Sequence, residues 1–199
     1  PLIHIREEIE EKYITACNIR EIAQSGSLCI LDIGFGLGYN SALAIEAAWQ
    51  ANPKCRITII GLENDPAILE KIKEMNFPVN SYSSFKQLSQ NNLSFSNKNT
   101  SGTVVLGNAQ ETVKNLPAEH FEAIFVDLFS PQATPQLWNV SFFTELHRVL
   151  KPTGVLATFT ASQDVRETMS AAGFFYDNGP SRGRRGPGTI GRKWTSLKL

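Results

Sequence analysis

Cysteine is scarce. Cys17, Cys29 and Cys55 are odd in number and far apart, with no C-x-x-C pair, which argues against a zinc site or a dithiol redox pair. The three histidines, His4, His120 and His147, have no metal-ligand spacing, so no metal is expected. An excess of either charge is also missing: 19 Lys and Arg face 19 Asp and Glu, for a formal net charge of zero. Nothing therefore draws the whole chain to nucleic acid, and any such contact must come from a local patch. No apolar run is long enough to cross a bilayer, and the start carries no signal-peptide pattern. A reducing cytoplasm and no membrane are expected. The chain begins at Pro1 rather than Met, which leaves room for residues before it. What remains is 199 residues, 42% apolar and 19% charged, enough for one domain with a substantial core.

The third glycine of the dinucleotide fingerprint is missing too. Leu28–Ile33 is a short apolar run of the kind that forms a strand buried on both faces. Gly34-Phe-Gly36-Leu-Gly38-Tyr-Asn40 follows, and then an Ala-rich stretch that reads as a helix. Strand, glycine turn and helix open a nucleotide-binding βαβ unit, with a helix N-terminus that favours anionic or polar ligand groups. G-x-G-x-x-G would need glycine at position 39, which is Tyr39. The G-x-G-x-G found instead, with Asp32 at the strand end, is similar to the first motif of Rossmann-like S-adenosyl-L-methionine-dependent methyltransferases. That similarity implies an α/β fold of the class I type. Its sheet would be mostly parallel and seven-stranded, with helices on both faces. Asp32, Gly34, Gly36, Gly38 and Asn40 would lie at the cofactor.

The rest of the chain reads as alternating strands and helices. Ile5, Ile9, Ile14, Ile19 and Ile22 recur at helical spacing, predicting a helix over 3–24 that packs beside the sheet or covers the ligand site. The second strand, 56–62, ends at Glu63, placed to accept hydrogen bonds from both ribose hydroxyls of an adenosine cofactor. Residues 80–102 are rich in Ser and Asn and read as a flexible insertion. The third strand, 103–106, leads to Gly107-Asn108-Ala109, whose Asn108 carbonyl can accept from an adenine amino group. The fourth strand, 121–127, ends in Asp127-Leu128-Phe129-Ser130-Pro131. Carboxyl ends of parallel strands face the ligand crevice, so Asp127 is the catalytic candidate. Trp138 is a candidate substrate wall. A fifth strand is expected at 155–160, and further strands at 174–176 and 194–199. Residues 178–199 contain Arg182, Arg184, Arg185, Arg192, Lys193 and Lys198 with no acid. This basic segment suits phosphate contacts.

Several blocks together carry a resemblance. The glycine turn resembles a Gly-Phe-Gly-x-Gly-x-Asn motif. Phe121–Pro131, with Pro135 and Trp138, resembles a Phe-Asp-Ala-x-Phe-x-Asp-Gly-Phe-Ser-Pro segment and its downstream Asn-Pro-x-x-Trp. Residues 156–162, Val165-Arg166, Ala172-Gly173-Phe174 and Gly191-Arg192-Lys193 match further blocks of the same family. That family is the methyltransferase part of MnmC, which acts in tRNA 5-methylaminomethyl-2-thiouridine biosynthesis. The differences are Leu128 for Gly, Asn108 for Asp and Thr134 for Asn.

The resemblance implies methyl transfer from S-adenosyl-L-methionine to the amine of 5-aminomethyluridine at the tRNA wobble position. Asp127 would orient the amine or take its proton, and would lie close to the cofactor with Glu63, Asn108 and Ala109. Leu128, Phe129, Ser130, Pro131 and Trp138 would shape the acceptor pocket. Arg182, Arg184, Arg185, Arg192 and Lys193 would hold the anticodon stem-loop. Bifunctional relatives also carry an FAD-dependent oxidase domain, none of which is in this sequence. A stand-alone methyltransferase with a separate oxidase partner is therefore expected. The alternatives are a small-molecule methyltransferase, an aminopropyltransferase, a nicotinamide-dependent oxidoreductase and a non-catalytic tRNA-binding homologue. The Arg-rich segment argues against a polyamine site, and Tyr39 against a nicotinamide cofactor.

Overall fold

The apolar run after Gly26 becomes strand β1, Ser27–Ile33, in a computed structural model that describes residues 2–181 and 186–194. Its side chains alternate between two cores: Leu28 and Ile30 enter one, and Leu31 and Ile33 the other. On one side β1 pairs in parallel with β2, Arg56–Glu63, and on the other with β5, Phe121–Val126. Parallel neighbours need crossovers. Helix α3, Tyr39–Ala51, makes the first and buries Ala42, Ala44, Ala47 and Ala48. Beyond β2 lies β4, Thr100–Leu106, and beyond β5 lies β6, Leu150–Thr158, both parallel. The chain thus runs outward from β1 to one edge and returns on the other side through β5. That reversal opens a crevice above the carboxyl ends of β1 and β5.

Three strands in antiparallel pairings complete the sheet: β3, Ser94–Asn97, on one edge, and β8, Thr189–Lys193, then β7, Phe174–Asn178, on the other, with β3 and β8 running against the rest. The order is β3-β4-β2-β1-β5-β6-β8-β7. Helices α6, Val140–Val149, and α7, Gln163–Ala171, cover the face opposite α3. No helix among the described residues is long and apolar enough to cross a membrane.

The α/β architecture with helices on both faces is as expected, and three details differ. First, the sheet has eight strands rather than seven, because residues 80–102 are ordered. They form a 3-10 turn, Asn80–Gln87, followed by β3. Phe85 is fully buried, with its ring 4.6 Å from Phe95 and 5.6 Å from Phe35. Aromatic rings here make the core that a count of aliphatic residues does not reveal. Second, the N-terminal helix is broken. Leu2–Ile9 is α-helical, Glu10–Thr15 forms a π-helical turn, and Ile19–Ala23 is a further short helix. Asn18, at φ 54, makes the break, a left-handed position that asparagine tolerates. Third, part of the basic segment forms a strand, Thr189–Lys193, while the strand expected at 194–199 lies, from residue 195 on, outside the described residues. Ile190 is buried, and Gly191 admits Met169 and Phe174 against its backbone.

Candidate active site

Two adjoining cavities occupy the crevice. One, of about 450 Å³, is lined by Glu8, Tyr13 and Asn40 among polar groups, and by Ile5, Leu37 and Phe159 among apolar ones. The other, of about 610 Å³, is lined by Glu63, Asn108 and Ala109, with Leu62, Ile68 and Leu137 as apolar walls. Gly34, Gly36, Asp127 and Leu128 border both. Asp127 therefore stands at the junction. Local structure explains why. Its N–H donates to the Ile33 carbonyl at 3.0 Å, continuing the β1–β5 pairing by one residue. The next turn of the chain must bend sharply, and Gly34 does so at φ +77. A Cβ on Gly34 would lie 2.5 Å from the Asp127 carbonyl oxygen. Glycine is required there for the two strand ends to approach.

The Asp127 carboxylate is held at both oxygens. Tyr13 Oη donates to Oδ1 at 2.8 Å, and Asn40 Nδ2 donates to Oδ2 at 2.8 Å. The residue is exposed along the crevice, while protein crowds its other sides and strips away water. That desolvation pushes its pKa above the ordinary carboxylate range, against the two hydrogen bonds and with a smaller push from the charge of Glu8. The Tyr13 hydroxyl is raised well above its usual value, first by burial and then by the adjacent Asp127 charge.

The larger cavity has the acceptors and walls an adenosine group needs. Glu63 Oε2 accepts from Gly36 N at 2.8 Å, and its Oε1 accepts from the Asn64 and Asp65 N–H groups. The carboxylate is thereby fixed at the strand end facing the cavity. Asn108 Oδ1 accepts from Gln110 N at 3.0 Å and caps helix α5, Ala109–Thr112. A carbonyl oxygen has two lone pairs, so one remains for a ligand donor. Fixed acid, amide oxygen and apolar walls fit a ribose and adenine.

The sequence family described as S-adenosyl-L-methionine-dependent methyltransferase matches residues 70–194. The chain belongs to the S-adenosyl-L-methionine-dependent methyltransferases of the MnmC family. Its methyltransferase sequence is 29% identical over 194 residues to the tRNA 5-methylaminomethyl-2-thiouridine biosynthesis bifunctional protein MnmC of Pseudomonas savastanoi pv. phaseolicola. The match covers 89% of this chain and 27% of that protein, so the chain spans about a quarter of the relative's length. The corresponding protein of Aromatoleum aromaticum is 31% identical over 76% of this chain. Among solved structures, MNMC2 from Aquifex aeolicus superposes with a TM-score of 0.81 at 29% identity, covering 93% of this chain and 60% of that one. A TehB-like S-adenosyl-L-methionine-dependent methyltransferase from Corynebacterium glutamicum shares the fold, with a TM-score of 0.53 at 15% identity.

The methyltransferase brings Gly34, Gly36, Asn40, Glu63, Asn108, Ala109, Asp127, Leu128 and Phe129 to the crevice. Other expected residues lie elsewhere. Asp32 is fully buried beneath the turn, where Ser41 Oγ donates to its Oδ2 at 2.6 Å. Gly38 is packed behind the loop against the Phe35 and Phe85 rings. Trp138 lines neither cavity. It is buried, and its Nε1 donates to the Phe129 carbonyl at 3.1 Å, supporting the loop from behind. Ser130 and Pro131 fall in the turn beyond Phe129, where the Ser130 carbonyl accepts from the Ala133 and Thr134 N–H groups.

Arg192 and Lys193 are not at the crevice. β8 runs antiparallel to β6, pairing Thr189 with Thr158 and Gly191 with Leu156, so Arg192 and Lys193 lie toward the amino end of β6. Lys193 Nζ there pairs with Glu119 at 3.5 Å. Arg182, Arg184 and Arg185 lie outside the described residues. Sequence reasoning missed Glu8, Tyr13, Thr134 and Gln136. The helical spacing of Ile5 and Ile9 does signal an N-terminal segment that covers something, and the cavity is what it covers.

Proposed function

We propose that this methyltransferase methylates the primary amine of 5-aminomethyluridine, with or without 2-thiolation, at the tRNA wobble position. The observation that carries this reading is the place of Asp127, common to both cavities and held at both oxygens. Gly34, Gly36, Glu63, Asn108 and Ala109 would hold S-adenosyl-L-methionine against the Leu62, Ile68 and Leu137 walls. When bound, it supplies a sulfonium methyl whose C–S bond leaves its electron pair on sulfur as the N–C bond forms. The acceptor side is left to the smaller cavity.

An aliphatic amine carries a positive charge at neutral pH and must lose a proton to attack. Among the described residues lining the cavities, Glu8, Glu63, Asp65 and Asp127 are acidic and none is Lys or Arg. Such a lining attracts a cationic acceptor and disfavours an anionic one. Asp127 accepts the amine N–H, aims the nitrogen and receives its proton, directly or through crevice water. Its raised pKa makes it a better acceptor than a free Asp, whose value is about 3.9. Leu128 borders the amine. Phe129, next to the shared Leu128 but on the rim of the larger cavity and 78% exposed, offers a ring on which the nucleobase outside the smaller cavity can stack. Relatives named for tRNA 5-methylaminomethyl-2-thiouridine biosynthesis support the same acceptor. In single-turnover assays Asp127→Ala should lower transfer by about 10²-fold or more, with tRNA binding retained. Unchanged turnover would remove Asp127 from the mechanism.

A further inference from the structure

The N-terminal segment does more than wall the smaller cavity, because it places one hydroxyl on the reacting centre. Tyr13 and Asn40 each donate to one oxygen of Asp127. A carboxylate oxygen offers about two lone-pair sites, so each donor occupies one and leaves another for the cavity. A carboxylate gripped at both ends does not turn about its Cβ–Cγ bond.

The Tyr13 hydroxyl is itself pre-placed. The side chain is 2% exposed, its ring lies 5.4 Å from Phe125, and Ile9 and Ile14 bury the helix on either side. The preceding residue, Lys12, is buried and donates to the Gly186 carbonyl. All three of Lys12, Tyr13 and Ile14 enter the interior because the backbone makes a wide π-helical turn over Glu10–Thr15, a feature frequent at functional sites. A phenylalanine ring would fill the same space against Phe125, so packing alone does not call for the oxygen. Its described hydrogen-bond partner is Asp127.

We propose that Tyr13 is a positioning residue for methyl transfer, fixing the orientation of the Asp127 carboxylate and favouring its ionised form so that its free lone pairs meet the acceptor amine. The proposal rests on the acceptor reading given above. Asn40, expected at the cofactor, is the second half of the same clamp.

The sign of the pH effect follows from the groups around Asp127. Tyr13 and Glu8 face it from the N-terminal segment, Asn40 from α3 and Asp32 from β1. The two hydrogen bonds lower the Asp127 pKa, whereas desolvation and the Glu8 charge raise it. Losing the Tyr13 hydroxyl leaves the pKa higher still. Activity needs the carboxylate, so it rises with pH through that pKa, and the acid limb must move to higher pH.

The test compares wild type with Tyr13→Phe. The expected result is a kcat lowered about 10- to 100-fold, an acid limb of kcat/KM displaced upward, and S-adenosyl-L-methionine affinity within a few-fold of wild type. A fluorinated tyrosine at position 13, a stronger donor of the same shape, should move the limb downward. It serves as the second variant if Tyr13→Phe does not fold. An unmoved limb in a folded variant would overturn the proposal, as would a loss confined to stability and cofactor binding. Titration of the Asp127 carboxyl, read as an infrared difference against Asp127→Asn, needs no acceptor. If wild type fails to methylate 5-aminomethyluridine, the acceptor reading falls. The titration then judges Tyr13 separately: a pKa equal in wild type and Tyr13→Phe would overturn its role.

Discussion

Asp32 and Asp127 stand near the ends of neighbouring parallel strands, yet their surroundings give them different work. Asp127 opens on the crevice, whereas Asp32 is sealed below the glycine turn and burial pushes its pKa up to about 8, against its hydrogen bond from Ser41. An acid whose pKa is higher when folded than when unfolded binds more protons in the native state over the interval between the two values. Stability therefore falls as pH rises from about 4 to about 8, by at most about 1.4 kcal/mol per pH unit for this one group. Denaturant unfolding of Asp32→Asn across that window should show a flatter pH dependence than wild type. An identical slope would mean that Asp32 does not titrate there. Gly34 is a second residue-scale test. A side chain at φ +77 costs about 1–2 kcal/mol from the backbone alone, and the Cβ would push on Asp127 as well. Gly34→Ala should lose both stability and turnover, and a variant as active as wild type would contradict the close approach of β1 and β5. Glycines, acids and Asn108 at these strand ends are legible in sequence because each closes an apolar run. Tyr13 is not, since nothing local says which strand end, 114 residues away, its hydroxyl will meet.

Among the elements, the 3-10 turn and β3 show most clearly what composition conceals. Serine and asparagine dominate residues 80–102, but Tyr82, Phe85 and Phe95 fix the segment to the sheet and to the back of the glycine turn. A Cβ on Gly38 would sit 2.8 Å from the Phe85 ring, so the ring and the turn are packed without slack. Phe85→Ala should therefore cost about 3–5 kcal/mol of stability and also weaken S-adenosyl-L-methionine binding, since the turn loses its backing. Thermal unfolding and equilibrium binding would check this. A drop in stability with unchanged cofactor affinity would uncouple the insertion from the site. The N-terminal helix tells a similar story. Its isoleucine spacing is readable, but the π-helical turn and the left-handed Asn18 that aim Tyr13 depend on tertiary packing that spacing does not encode.

For the molecule as a whole, the sheet order and the crevice between β1 and β5 follow from alternating strand and helix signals that are legible along the chain. The antiparallel return of β8 is not, and it carries Arg192 and Lys193 away from the crevice to the other end of β6. Arg182, Arg184 and Arg185 lie outside the described residues, and we propose that they contribute phosphate contacts. Replacing all three by alanine should weaken tRNA binding and reduce the slope of log K against log salt by about 0.7–0.9 for each phosphate no longer neutralised. An unchanged slope would put the RNA surface elsewhere. The most direct measurement of the acceptor is transfer of radiolabelled methyl from S-adenosyl-L-methionine to tRNA bearing 5-aminomethyluridine, with fully modified tRNA as control. Label is expected in the first tRNA alone, and none with Asp127→Ala. A wild-type protein that binds the cofactor yet labels neither tRNA would contradict the proposed acceptor.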